Sequence, residues 1–116
     1  MIEVNIQRDL QGRVIFFQVT GHAEYAEFGK DVVCGAVSAL AQTAILGLEE
    51  VAGISPEVEI NEGSLICMLS AGEAAVDRGQ AILETVILGL KEIEQDYGDY
   101  LRVIEQTGED RRRCRE

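Results

Sequence analysis

The chain has 116 residues, with 21 acidic against 10 basic side chains, a formal net charge of −11 and a single histidine. That excess of negative charge excludes binding to nucleic acid by phosphate neutralisation and suits a basic protein or peptide as partner. With 47% hydrophobic residues, one proline and three cysteines, a chain of this length builds its core by packing alone, as one domain, which excludes a disordered chain and a disulfide scaffold.

The N-terminal stretch MIEVNIQRDL carries charges and has no apolar leader core, so no secretory signal is expected. An odd number of irregularly spaced cysteines in such a chain points to reduced thiols and a cytoplasmic protein. Ile2, Val4 and Ile6 alternate with polar residues, and a second run follows the turn residues Asp9 to Gly12. The pattern predicts a β-hairpin, Ile2 to Arg8 and Arg13 to Thr20. The second strand is apolar on both faces, which places it inside the sheet and covered.

Gly21 ends that strand and Gly29 precedes a helix; a connection of about nine residues is long for a strand-to-helix loop and marks a functional segment. Asp31 is a good N-cap, which would make Cys34 the N3 residue. Val33, Val37, Leu40, Ala41, Ala44, Ile45 and Leu48 then recur at helical spacing, and Glu49, Glu50 and Gly53 close the helix. Few charges lie between Val32 and Leu48, so the helix is expected to be covered on more than one side. Ser38, Gln42 and Thr43 interrupt the apolar run, which falls short of the roughly 20 residues of a membrane span.

Pro56 opens a third strand, Val58 to Ile60, and Glu62-Gly63 turns into a fourth, Ser64 to Leu69. Gly72 and Glu73 introduce a long helix with Ala75, Gly79, Ile82, Val86, Leu90 and Ile93 on one stripe. A last strand, Leu101 to Glu105, precedes the charged stretch GEDRRRCRE. The order ββαββαβ predicts an α+β fold, a two-layer sandwich of a five-stranded, mostly antiparallel sheet and two helices. Residues 1–107 form the single domain and 108–116 a flexible tail.

A cysteine on the first turn of a helix faces unpaired N–H groups and the positive end of the helix dipole, which favour its thiolate. His22 lies twelve residues before Cys34, within reach across a folded loop, and Lys30 adds positive charge nearby. The pair suggests a Cys34–His22 dyad in which His22 draws the thiol proton and later protonates a leaving amine, with N–H groups at the helix start as oxyanion donors. Spacing alone fits equally a packed cysteine and a solvent-exposed histidine, and leaves open whether Asp31 or another carboxylate orients His22. Cys67 alternates with Leu65 and Leu69 and reads as a core thiol; Cys114 sits among arginines in the tail. One histidine and three cysteines without a C-x-x-C pair make no metal site, and the glycines follow no nucleotide-binding pattern, so neither metal nor cofactor is expected.

The segment GHAEYAEFGKDVVCGAVSAL resembles the signature of the ribosomal-processing cysteine proteases, the Prp-like family: Gly-His-Ala, a loop, then Asp-x-x-Cys with a Ser four residues later. These positions are Gly21, His22, Ala23, Asp31, Cys34 and Ser38. The likeness extends over the whole chain in length and element order; Gly35 stands where Ala is more usual, and the tail with Cys114 is outside the pattern. The resemblance implies a bacterial endopeptidase that removes a short N-terminal extension from the large-subunit ribosomal protein numbered twenty-seven, cutting after an aromatic pair during ribosome assembly. It also implies a homodimer with Cys34 as nucleophile and His22 as base. Asp31 would cap the helix, Ser38 would hydrogen-bond within it, and the loop from Gly21 to Gly29 would order over the substrate with Gly21 as hinge. Neither nucleic acid nor membrane is an expected partner. The alternative is a non-enzymatic ribosome-associated factor that holds a basic ribosomal protein on its acidic surface. A redox role would need a resolving cysteine, and neither Cys67 nor Cys114 stands at a motif spacing. The glycines and small residues of the first helix suit an interface between copies and packing on a sheet equally well.

Overall fold

The computed structural model describes residues 1–21 and 28–108; His22, the rest of 22–27 and the tail 109–116 with Cys114 lie outside the described residues. Its elements run β1 (Ile2–Arg8), β2 (Val14–Thr20), α1 (Phe28–Glu50), β3 (Glu57–Asn61), β4 (Ser64–Met68), α2 (Ala71–Ala74), α3 (Asp77–Asp96) and β5 (Leu101–Thr107). The strands form one sheet in the order β3-β4-β2-β1-β5, antiparallel except for the parallel β1–β5 pair. The expected α+β sandwich is therefore present, with a third, single-turn helix that the sequence reading merged into α3.

That split has a local cause. Ser70 and Glu73 form a reciprocal capping box that starts a helical turn at Ala71, with Ser70 Oγ accepting from Glu73 N at 3.2 Å and Glu73 Oε1 accepting from Ser70 N at 2.8 Å. Val76 is extended, at φ −79° and ψ 113°, so the chain leaves the helix and re-enters it at Asp77. The buried row of α3 is Gly79, Leu83, Ile87 and Leu90, while Ile82, Val86 and Ile93 of the predicted stripe flank it, half-buried.

Cross-strand register assembles the core face of the sheet. Ile60, Leu65, Val19, Val4 and Val103 pair in succession across five strands, and Val58, Cys67, Phe17 and Ile6 form a second row. Val4, Ile6, Phe17 and Val19 meet Ala41 and Ala44 of α1 and Leu83, Ile87 and Leu90 of α3 around one small apolar void. Both long helices thus lie on the same face. β2 is interior, as expected, but the helices cover only one of its faces; on the other, Phe16, Ile66, Met68 and Ile104 are half-buried. Each helix has a single apolar stripe, and two such stripes need only one sheet face.

α1 and α3 run antiparallel and close. The carbon position that a side chain at Gly47 would occupy lies 3.1 Å from Ile82 Cγ2, that of Gly79 lies 3.3 Å from Leu48 Cδ2, and that of Gly89 lies 3.4 Å from Leu40 Cδ1. Val33, Val37, Ala41, Ala44 and Leu48 of α1 are buried. The sheet and α3 thus cover α1 on two sides, while among the described residues the remaining side stays open, with Val32 and Leu46 more than half exposed. The stretch Val32–Glu50 is long and apolar enough to cross a membrane by length and hydropathy; its buried row is spent on the core of the sandwich.

Polar contacts fix α3 to the sheet, among them the Val103 N–H of β5 donating to Glu94 Oε2 at 2.9 Å. The Gln80 side-chain amide accepts from Val14 N at 2.8 Å and donates to Val14 O at 2.9 Å, standing in for a neighbouring strand. Arg8, at the end of β1, donates from Nε to Glu105 Oε1 at 3.0 Å, from Nη2 to Glu84 Oε1 at 3.1 Å, and from Nη1 to Gly12 O at 3.0 Å. Lys91 also pairs with Glu105. The Lys91 hydrogen bond, helped by Arg8 and opposed by burial, holds the Glu105 carboxyl below its ordinary value of 4.5. A carboxylate with a depressed folded-state pKa contributes stability above its unfolded pKa and loses it as pH falls through the folded one. Glu105→Gln is expected to cost about 1–3 kcal/mol at neutral pH. The gap from wild type should begin to narrow as pH falls below about 4.3 and close only below the lowered folded-state value, as measured by urea unfolding across that range.

Candidate active site

α1 begins at Phe28, not after an Asp31 cap. Phe28, Gly29 and Lys30 already take helical backbone, and an acidic residue is as acceptable in the first turn, facing the positive dipole end, as at the cap. Asp31 is thus the fourth helical residue and Cys34 the seventh, on the second turn rather than at N3. At that depth the Cys34 N–H belongs to the helix's own hydrogen-bond ladder.

What positions Cys34 is the helix's rotation. It follows the buried Val33 by one residue, about 100° around the axis, so it borders the core and is half-buried. Ser38 and Gln42 succeed it at intervals of four. Gln42 Nε2 donates to Ser38 Oγ at 3.4 Å, a link between side chains one turn apart within the helix. Cys34, Val37, Ser38, Ala41 and Gln42 make one wall of a groove of about 220 Å³, faced by Ile60, Asn61, Gly63, Ser64 and Leu65 of the β3–β4 hairpin, with Ile2, Val19 and Gly21 at its end.

Gly21 is held in that groove. Its φ is +96°, its N–H donates to Gly63 O at 3.1 Å, and an added Cβ would come within 2.5 Å of Met1 O. Only glycine fits such a conformation at such a distance. His22, the next residue, lies outside the described residues. Of the predicted site residues, the structure brings Gly21, Cys34 and Ser38 to one groove, and of Asp31 only the backbone is described.

Cys67 differs chemically from Cys34. It is fully buried on β4, and burial, followed by the charges of Glu73 and Glu49, pushes its thiol up to about 12. It stays protonated at neutral pH and serves as core, as expected. Gln42, Asn61 and Ser64 were not singled out in the sequence. Gln42 carries a legible signal, the i+4 and i+8 spacing from Cys34; Asn61 and Ser64 arrive through strand pairing, which has none.

A family model described as "Cysteine protease Prp" matches residues 1–102. The chain belongs to the Prp cysteine proteases. A Bacillus subtilis relative, the ribosomal processing cysteine protease Prp, is 35% identical over 107 residues, covering 89% of this chain and 96% of its own length. Its Staphylococcus aureus counterpart is 26% identical over 103 residues, 89% of this chain and 97% of that protein. Among solved structures, SMU.848 from Streptococcus mutans superposes with a TM-score of 0.86 at 26% identity, covering 92% of this chain and 98% of that one. The S. aureus Prp protease in complex with a substrate peptide superposes at 0.84 and 25% identity, covering 91% and 100%. The same protease with a covalently linked product peptide gives 0.82 and 26%, with the same coverage. Family and fold thus agree along nearly the whole chain, and the chain is a hydrolase of the thiol-protease type by membership.

Two glycines beside the thiol separate conformational need from mere smallness. An added Cβ at Gly35 meets nothing within 4 Å, so Gly35→Ala is expected to stabilise by about 0.5–1 kcal/mol through helix propensity. Gly21→Ala is expected to destabilise by about 2 kcal/mol or more. Chemical denaturation of the two variants reads both signs.

Proposed function

We propose that the protein is a cysteine endopeptidase that removes a short N-terminal extension from a large-subunit ribosomal protein during ribosome assembly. The observation that supports this most is the place of Cys34. Its half-buried thiol stands on the wall of an apolar groove at the family's motif position, and the S. aureus relative has been crystallised with a substrate peptide and with a covalently linked product peptide. The net charge of −11 favours a basic precursor as substrate.

In this reading His22 accepts the Cys34 proton and the thiolate attacks the scissile carbonyl. The tetrahedral intermediate expels the amine, which takes the proton from His22, and water hydrolyses the thioester to free the acid and the thiol. Because the Cys34 N–H is engaged within α1, side-chain donors among the described residues of the groove, the hydroxyls of Ser38 and Ser64 and the amides of Gln42 and Asn61, are candidates for the oxyanion. Asp31 supports the first turn of α1, Ser38 supports the groove wall through Gln42, and Gly21 is the anchored base from which the loop carrying His22 departs. The enzyme acts in the cytoplasm as a homodimer, without metal or cofactor. Val32, Gly35 and Ala39 stay exposed on α1, so among the described residues this row is not used by packing on the sheet and suits a second copy.

The test is cleavage of a peptide spanning the extension and the mature start of the cognate ribosomal protein, followed by mass spectrometry. A single cut is expected, with Cys34→Ser and His22→Ala each slower by about 10³-fold or more. Tight binding of the precursor without any cut, unchanged in Cys34→Ser, would instead identify a binding factor.

A further inference from the structure

We infer that the substrate chain continues past the sulfur along a trench between α1 and β3, and that an aliphatic side chain about five residues from the scissile bond, with a basic neighbour, seats between Leu46 and Ile60. The inference rests on the protease reading and adds to it the part of the substrate that is recognised away from the reacting bond.

A second cavity, of about 270 Å³, is lined by Gln42, Ile45, Leu46, Glu49, Val58 and Ile60. It shares Gln42 and Ile60 with the groove at Cys34, so the two form one continuous path along the flank of α1. β3 is an edge strand, which leaves that flank uncovered by any other element among the described residues. Leu46 and Ile60 are 58% and 68% exposed and stand on opposite walls, where an aliphatic side chain placed between them would remove all three from water.

Length selects the position. From Cys34 to Ile45 and Leu46 a helix rising 1.5 Å per residue covers about 17 Å, and an extended peptide at 3.3 Å per residue covers that distance in about five residues. Charge selects the neighbour. Glu49 lines the cavity, and Glu50, one helical turn on from Leu46, is exposed beside it, so a lysine or arginine beside the aliphatic residue meets an acidic rim. Binding energy gained this far from the bond is the kind that raises kcat/KM for long substrates over short ones.

The experiment compares the full precursor peptide with one trimmed to four residues on each side of the cut, using wild type, Leu46→Ser and, as a control for loss of an exposed leucine outside the trench, Leu88→Ser. Wild type is expected to cleave the long peptide at least about tenfold better in kcat/KM than the short one, the size of one buried aliphatic contact. Leu46→Ser should lose that advantage, chiefly through KM, and leave the short peptide unchanged, while Leu88→Ser should resemble wild type. Equal cleavage of both peptides by wild type overturns the inference. So does an equal slowing of both by Leu46→Ser, or a change in its oligomeric state by light scattering with the length advantage intact. Cleavage of neither peptide by any form overturns the protease reading itself.

Discussion

The close antiparallel contact between α1 and α3 sets the geometry on which the groove depends. Gly47, Gly79 and Gly89 let Ile82, Leu48 and Leu40 of the facing helix approach to van der Waals distance, and with the helices that near, the rotation of α1 is decided. Val33, Val37, Ala41, Ala44 and Leu48 must face the sheet. The adjoining row, Cys34, Ser38 and Gln42, is then turned toward the β3–β4 hairpin. A rotation of one residue would bury the thiol or turn it to open solvent. α3 is in turn tied to the sheet by Gln80 on Val14 and by Arg8 on Glu84 and Glu105. The position of a sulfur near one end of the molecule therefore depends on polar contacts near the other.

Two cysteines in one domain show how placement makes chemistry. Cys67 sits at a central register position on β4, opposite Phe17 and Val58, and its thiol is pushed up to about 12 by burial. Cys34 sits where a helix's buried row gives way to a groove. The first is a small apolar residue with a sulfur in it; the second combines partial burial with access, which a nucleophile requires. The acidic surface adds attraction for a basic chain at long range without taking part in the bond chemistry.

Much of the fold was legible because alternation and helical period are local signals. β1 was read to the residue, and the hairpin turns were marked by glycines that adopt φ of +85° at Gly12 and +77° at Gly63. The periodicity from Gly72 onward reads as one helix, and the capping box at Ser70–Glu73 divides it into α2 and α3. The start of α1 was misplaced because Asp31 suits both a cap and a first turn, and only the backbone before it decides between them. The second face of β2 looked core-like because Phe16, on a strand, carries no mark of whether a helix lies above it. At the site, the motif residues Gly21, Cys34 and Ser38 were readable and do share a groove. Its far wall, Ile60, Asn61, Ser64 and Leu65, comes from strand pairing between segments that no spacing rule joins to Cys34.

The central claim is that the sulfur of Cys34 attacks the scissile carbonyl in this groove. It is tested most directly by mixing the enzyme with its precursor peptide, quenching in acid within the first turnover and measuring the intact mass. The account predicts a protein heavier by the released N-terminal fragment less one water, with the thioester mapped by peptide analysis to Cys34. Efficient cleavage with no adduct on Cys34, or with the adduct on another residue, would contradict it.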